Sequence, residues 1–463
     1  MDAVPRIDPR LRVLYLVAVA IGVFFVKPLW GVAIAAAAQC ALWLAVGLPP
    51  RKLARNIFKI WPFAAFIIAS YALAFEDAEG GDRWIQLAVW RWTIPIDVTA
   101  ALLGVRMVLR VIAVVLASHV VRAGDPRAIA AGFRKLGMPR IAASSIDAVL
   151  VLFAGDGGHG GGGGGGGRGG GGGRGGGGGG GGGGRGGGGG GGRGRDRAID
   201  AADPAPAGGF WAKLKALSRG DVGFLAARID HQIGRASRHV EDSSHEAETG
   251  ARGAGSRERA IAEDVATIAG IAITMLGIKA LKILPNVPFA PGHKLVILTP
   301  LYVVAALYTR SRAGATWTGL TMGVVAFLLG DGKYGVFEIL KHVAPGVLCD
   351  LVAPRVARFT LRSRSPAVSP LAWSITGGVI AAGRFATIFG VTLFVQPPAV
   401  AWAFLVPGAT VHITFGVLSG YMSHHLVRAV ARRPRGKLFG LVPDAAPAEV
   451  PPIDSDSIRK EVP

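Results

Sequence analysis

The stretch IDVTAALLGVRMVLRVIAVVLASHV, residues 96–120, is long and apolar enough to cross a lipid bilayer as an α-helix. Three similar windows precede it, at residues 11–26, 28–46 and 60–75. Hydrophobic residues make up 51% of the 463-residue chain, charged residues make up only 17%, and the mean hydropathy is +0.42. This composition is too apolar for a soluble protein of this length and predicts an integral membrane protein.

The charges between these windows predict the orientation of the first bundle. Basic residues at 51–59 follow the second window, acidic residues at 76–82 follow the third, and basic residues at 122–140 follow the fourth. Because short loops rich in Lys and Arg stay in the cytoplasm, we expect the basic loops inside and the acidic loop outside. The apolar run 141–154 is shorter and contains Asp147, so we interpret it as a partial or interfacial helix.

Residues 155–206 form an insert in which an almost pure glycine tract is interrupted by arginines. Glycine loses the most conformational freedom on ordering and has no side chain to bury, so we predict that this insert is disordered. An RNA-binding tract of this kind would carry aromatic residues for base stacking, and this insert has none. We therefore predict no nucleic-acid partner, although the net charge is +21.

The hydrophobic pattern returns after the insert. In residues 207–260, apolar residues recur at three- and four-residue spacing among basic ones, which indicates amphipathic helices at the cytoplasmic membrane surface. Residues 261–432 contain six further spans with both ends inside, and the proline-rich, acidic tail 433–463 is predicted to be disordered. The six spans are predicted at Val265–Leu284, Lys294–Tyr308, Thr316–Leu329, Val336–Val352, Leu371–Phe394 and Ala399–Leu426.

The predicted fold is an all-α integral membrane protein with two helical bundles, residues 1–154 and 261–432. A flexible glycine-rich insert and amphipathic cytoplasmic helices join the bundles. We expect a multi-pass protein of the inner or plasma membrane with both termini in the cytoplasm.

Short segments of the first bundle carry a family resemblance. They are Asp8-Pro9-Arg10 with Arg12, Arg106 and Arg110, Gly124-Asp125-Pro126 and Leu136-Gly137-Met138-Pro139. These segments resemble the T component, the transmembrane coupling subunit, of energy-coupling factor (ECF) type vitamin importers.

In that family, two Ala-Arg-Gly-like motifs on cytoplasmic helices dock into a pair of ABC-type ATPases. The matching positions here are Ser218-Arg219-Gly220 and Ala251-Arg252-Gly253, the first with serine in place of alanine. Arginine suits such a contact because its planar fork of donors can hold carboxylates and carbonyls of a partner. A solvated basic helix is the alternative interpretation of these two segments.

The second bundle resembles an S component, the substrate-binding subunit of the same importers. The cues are the outer loop 285–293, the small residues within 314–323 and Gly330-Asp331-Gly332. The resemblance implies a fused T and S component that takes up a small vitamin or vitamin-like solute. ATP would be bound by two separate ATPase subunits, and no cofactor by this chain, which has no Gly-x-x-x-x-Gly-Lys-Ser/Thr motif.

A stripe of small residues lies in the first span of the second bundle, at four-residue spacing. Its members are Ala262, Ala266, Gly270 and Thr274. Small residues let another membrane helix approach closely. The resemblance implies that this face contacts the coupling helices, and ordinary packing within the bundle is the alternative.

Ionisable residues inside predicted spans indicate the solute site, because charges in a membrane are costly and usually functional. Glu338, Lys341 and His342 fall on one face of a helix. The other candidates are Arg384 and His412 in later spans, and Asn286, His293 and Tyr334 in outer loops. A simple ion pair is the alternative, and a metal site is not predicted because one carboxylate and scattered histidines form no defined ligand set.

Two other functions compete with an importer. An intramembrane lipid-modifying enzyme could use Glu338 and His342 as acid and base, although the sequence has no nucleophile elbow and no His-Glu-x-x-His motif. A secondary transporter would have two similar halves, whereas these halves differ in span number and charge. We therefore predict a transporter subunit and not an enzyme.

Overall fold

The computed structural model describes residues 8–73, 83–89, 92–123, 127–157, 219, 221–248, 256–280, 295–329, 336–362, 368–395 and 398–431.

The first bundle consists of helices around one central helix and a two-stranded hairpin. Its described elements are α1 (Pro9–Phe25), α2 (Leu29–Ala45), α3 (Pro50–Ala72), β1 (Trp84–Val89), β2 (Trp92–Asp97), α4 (Val98–Val121), α5 (Arg127–Lys135) and α6 (Arg140–Gly157). The strands are antiparallel, with Trp84 opposite Asp97. Helix α4 contacts α1, α2 and α3, and α5 contacts α1 and α6.

The rest of the described chain is helical. Its elements are α7 (Gly223–Glu248), α8 (Ser256–Ala280), α9 (Leu295–Tyr308), α10 (Gly314–Leu328), α11 (Phe337–Arg362), α12 (Val368–Val395), α13 (Pro398–Ala403) and α14 (Leu405–Ala431). Helices α12 and α14 pack together along much of their length, as do α10 and α11. Helix α9 lies between α10, α11 and α14.

The all-α membrane fold is confirmed, with the hairpin as a small addition. Among the described residues, five helices are long and apolar enough to cross a membrane, namely α3, α4, α8, α12 and α14. Helices α2, α9 and α10 are shorter and apolar. The remaining two predicted spans correspond to α1 and α11.

Several predicted boundaries were wrong. Helix α3 begins at Pro50, so the basic residues 51–59 lie in its first turns and not in a loop, because Lys and Arg are good helix formers that can reach the interface from a helix end. The run at 141–154, interpreted as a partial or interfacial helix, lies in a slightly longer 18-residue helix with a buried face, which is not among the candidate membrane spans of the described residues. The last predicted span divides into α13 and α14 around Phe404.

Arginines hold α1 against α4 at both ends. At one end, Nη1 of Arg12 donates to the carbonyl of Ala123, just after α4, at 3.1 Å. At the other end, Arg106 and Arg110 of α4 donate to the two carbonyls that follow α1, at 2.6 and 2.7 Å. Carbonyls at a helix end lack intrahelical partners, and positive charge there is favourable. Three of the arginines that carry the family resemblance therefore fix the geometry of the first bundle.

One large hydrophobic core includes residues of both bundles. Helix α6 packs against α8 and α10, and α7 packs against α8 with smaller contacts to α6 and α14. The first span of the second bundle, α8, is therefore the main contact between the two halves.

Candidate solute site and coupling interface

A polar cluster begins on the first two turns of α11. Glu338 and His342 are buried, each with 1% of the residue exposed. Glu338 forms an ion pair with Lys341, and its Oε1 lies 3.8 Å from Nε2 of His342. The predicted helical face is therefore present, and Glu338 contacts both of its other members.

Tyr302 of α9 joins this cluster, and the sequence reasoning missed it. Its hydroxyl lies 3.1 Å from Nδ1 of His342, and the residue is fully buried. Thr299, one turn earlier on α9, is also buried, and its hydroxyl has no hydrogen-bond partner among the described residues. A tyrosine in the middle of an apolar span is itself a signal, because a buried phenolic hydroxyl usually needs a partner.

Two later helices contribute the remaining cation, Arg384, and the remaining imidazole, His412. Arg384 of α12 is 5% exposed and lies in electrostatic range of Tyr302 and Glu338. Within the described part of the chain, its Nε and Nη1 atoms have no hydrogen-bond partner. Nδ1 of His412 on α14 lies 2.8 Å from the carbonyl of Gly408, and its Nε2 has no such partner there.

Among the described residues, the cluster contains the two cations Lys341 and Arg384 and the carboxylate of Glu338. Glu338 forms an ion pair with the ammonium of Lys341 and interacts electrostatically with the guanidinium of Arg384. A buried charge without full compensation is costly. An anionic group placed among these side chains would therefore be stabilised.

The cluster lies toward the end of the second bundle that the charge pattern predicts to be outside. Glu338 is near the start of α11. The predicted outer ends are the first residues of α9 and α14 and the last residue of α12. At 1.5 Å per residue, Tyr302 and His412 lie roughly 10 Å, and Arg384 roughly 16 Å, from these outer ends. The groups therefore occupy a band below the outer surface.

Close packing of α10 fixes the position of His342. A Cβ on Gly319 would lie 2.2 Å from the His342 carbonyl oxygen. Only glycine permits this approach of α10 to the backbone of α11. One of the small residues that suggested an S component, Gly319, therefore packs α10 against the backbone of α11 at His342.

The small-residue stripe of α8 faces α7 at its centre. A Cβ on Gly270 would lie 2.6 Å from the backbone nitrogen of Ile233 and 2.7 Å from its Cα. Ala266 and Thr274 are buried, Ala262 is partly buried, and the Thr274 hydroxyl donates to the Gly270 carbonyl at 2.8 Å. Helices α7 and α8 are thus in backbone contact at Gly270.

Some predicted functional residues lie outside the described part of the chain. For the ATPase-docking motifs these are Ser218, Gly220, Ala251, Arg252 and Gly253, and for the solute site they are Asn286, His293 and Tyr334. Arg219 is described, and it is exposed in a turn shortly before α7.

An aromatic cluster joins the two bundles beside the polar cluster. The Phe337 ring centroid lies 5.4 Å from those of Phe24 on α1 and Phe394 on α12. The guanidinium of Arg110 lies over the Phe24 ring at 5.8 Å, within cation–π range. Phe337 directly precedes Glu338, so a shift between the bundles at this point would also move the polar cluster.

The described residues contain no group of three or more His, Cys, Asp or Glu side chains that could hold a metal ion.

The apolar helices, the basic loops and the packing define a multi-pass membrane protein. The comparison with family models adds that residues 3–154, about a third of the chain, match CbiQ, described as a cobalt transport protein. This part of the chain is therefore similar to the membrane component of an ECF-type transporter, the class that works with ATPase subunits. Comparisons with curated proteins and with solved structures gave no match.

Proposed function

We propose that this chain is a T component fused to an S component of an ECF-type importer. The observation that carries the proposal is the packing of α8. This first helix of the second bundle contacts α6 of the cobalt-transport-like part and, through Gly270, the amphipathic helix α7. Such a contact gives α7 a direct mechanical connection to the second bundle.

The proposed cargo is a small solute with a carboxylate or ring nitrogens. Arg384 supports an anionic group, because its buried Nε and Nη1 have no hydrogen-bond partner among the described residues and its fork of donors can bind one. His342 and His412 offer ring nitrogens to polar atoms of the solute. Asn286, His293 and Tyr334 are proposed to complete the site from the outer loops.

The proposed energy source is a pair of separate ABC-type ATPases docked on Arg219 and Arg252. Movement of these subunits would displace α7, and the backbone contact at Gly270 would pass this displacement to α8 and the second bundle. The bundle would then turn and open its polar cluster to the cytoplasm. Both termini lie in the cytoplasm in this arrangement.

Solute binding by the purified full chain tests this site. The panel consists of vitamins, vitamin precursors and Co²⁺, the last because the matched family is described as a cobalt transport protein. Binding of one panel member should weaken in Glu338→Ala, His342→Ala and Arg384→Ala proteins that still elute as folded protein. Unchanged affinity in all three folded variants would refute the site.

The chain offers a matched control on α14. His412 and His424 are both buried, but His424 contacts Ser369 at 2.9 Å and lies 12 residues further along the helix. His412→Ala should weaken solute binding, whereas His424→Ala should not. Equal effects would indicate a general loss of packing.

A further inference from the structure

A second polar site lies in the first bundle, at the opposite end from the solute cluster. It is a pocket of about 260 Å³ between the start of α3 and the end of α4. Trp43 forms part of its wall and is 1% exposed. Lys52 and Arg55 extend from α3, and both are exposed.

The pocket contains a hydrogen-bonded polar wall. Nδ2 of Asn56 and Nε2 of His119 are 3.2 Å apart, and Nδ1 of His119 lies 2.9 Å from the carbonyl of Val115. Nε of Arg122 donates to the carbonyl of Ser118 at 3.3 Å. These contacts hold the imidazole and the guanidinium against the pocket.

The charge of the pocket is strongly positive. Lys52, Arg55 and Arg122 line it, and the lining contains no acid among the described residues. Burial lowers the pKa of Arg122 to about 10, because the guanidinium loses contact with water. The three cations therefore favour an anion in the space between them.

The position of the pocket determines which anion can reach it. The positive-inside rule places residues 51–59 at the cytoplasmic membrane surface. From Arg55, α3 continues toward the membrane centre with Phe58 and Phe66, which are 78% and 45% exposed and lie within about 60° of Arg55 around the helix axis. A polar pocket thus opens next to a strip of apolar side chains that faces lipid.

We infer that this pocket binds the phosphate headgroup of an anionic phospholipid of the cytoplasmic leaflet, whose acyl chains lie along Phe58 and Phe66 of α3. Basic pockets between membrane helices on the cytoplasmic side are suited to anionic headgroups. A free phosphate ion shares the headgroup chemistry but makes no use of the apolar strip. The bound lipid would fix α3 against α4 at the basic end of the first bundle.

Native mass spectrometry of the delipidated full chain tests this inference with phosphatidylglycerol and phosphatidylcholine as probes. The pocket variant is Lys52→Gln/Arg55→Gln. The matched control is Arg51→Gln/Arg134→Gln, which also removes two exposed positive charges on the same side but outside the pocket. Phosphatidylglycerol binding should fall at least about tenfold in the pocket variant and stay near wild type in the control.

Two further measurements distinguish a lipid site from a free-anion site and from a general effect of the substitutions. Excess inorganic phosphate should leave phosphatidylglycerol bound, and Lys52→Arg/Arg55→Lys, which keeps both charges, should bind like wild type. Displacement by inorganic phosphate would indicate a free-anion site and overturn the lipid assignment. Equal losses in the pocket and control variants, equal binding of phosphatidylcholine, or loss in the charge-preserving variant would also overturn it.

Discussion

The contact between α7 and α8 can be tested by adding a single methyl group at Gly270. The new Cβ of Gly270→Ala would lie 2.6 Å from the Ile233 nitrogen and 2.8 Å from Ile233 Cγ1, whereas ordinary contacts begin at 3.4 Å. Two of the three nearest atoms are backbone, so a rotamer change cannot relieve the overlap. The helices must separate by about 0.8 Å to restore ordinary contact, and overpacking of this kind costs about 1–3 kcal/mol.

A matched glycine on α12 separates this overlap from the general effect of alanine. Gly390 is also helical, and a Cβ there would meet nothing within 4 Å. Alanine at either site is favoured over glycine by helix propensity, by up to about 1 kcal/mol. Gly390→Ala should therefore unfold at or slightly above the wild-type temperature, and Gly270→Ala below it.

The functional assay measures solute uptake per ATP hydrolysed in proteoliposomes that contain the ATPases. It compares the wild type, Gly270→Ala and Gly390→Ala proteins. If α7 drives α8 through backbone contact, Gly270→Ala should lower solute uptake per ATP hydrolysed while solute binding stays near wild type. Gly390→Ala should change neither. Equal uptake and equal thermal stability in the two variants would refute the proposed connection between α7 and α8.

Three further predictions follow from the sequence and the packing. Arg219→Ala/Arg252→Ala should uncouple ATP hydrolysis from uptake and leave solute binding intact, whereas the Arg257→Ala control should remain coupled. Normal uptake by the double variant would show that the motif assignment is wrong. Replacing residues 157–192 by a short linker should leave assembly and uptake largely unchanged, because long flexible loops cost little more entropy than short ones; failure of the shortened chain to fold would contradict this. Asp350 accepts the two backbone N–H groups at the start of α10, at 2.9 and 2.8 Å, so Asp350→Ala should destabilise the chain by about 1–3 kcal/mol in thermal unfolding, and an unchanged melting temperature would refute that role.

The membrane helices were predictable because continuous apolar runs need no knowledge of partners. The start of α3 was not predictable, because basic residues lower the mean hydropathy of a window. Such residues can nevertheless occupy the end of a membrane helix at the interface. The hairpin β1–β2 was missed because a search for apolar windows of membrane-spanning length does not detect six-residue strands, and the end of β2 falls inside the window that begins at Ile96.

The part of the polar cluster whose residues are close in sequence was predictable. The spacing of Glu338, Lys341 and His342 already places them on one face, and the structure shows their contacts. Tyr302 was missed because its window is apolar on every side, so no periodicity indicates which face is buried with His342. That contact joins residues 40 positions apart and depends on the packing of α9 against α11.

The pocket between α3 and α4 shows the same limit. The basic residues of α3 indicated only an orientation in the membrane. Their proximity to His119 and Arg122 depends on the antiparallel packing of α3 and α4, which a single sequence does not specify.

The central claim, that one chain supplies both the coupling and the solute-binding part, is tested most directly by reconstitution. The full chain is placed in proteoliposomes with two ECF-type ATPases and no other membrane subunit, and ATP-dependent uptake of the solute identified in the binding panel is measured. We predict uptake that requires both ATP and the ATPases. Uptake that appears only after a separate S component is added, or uptake by the chain alone, would contradict the account.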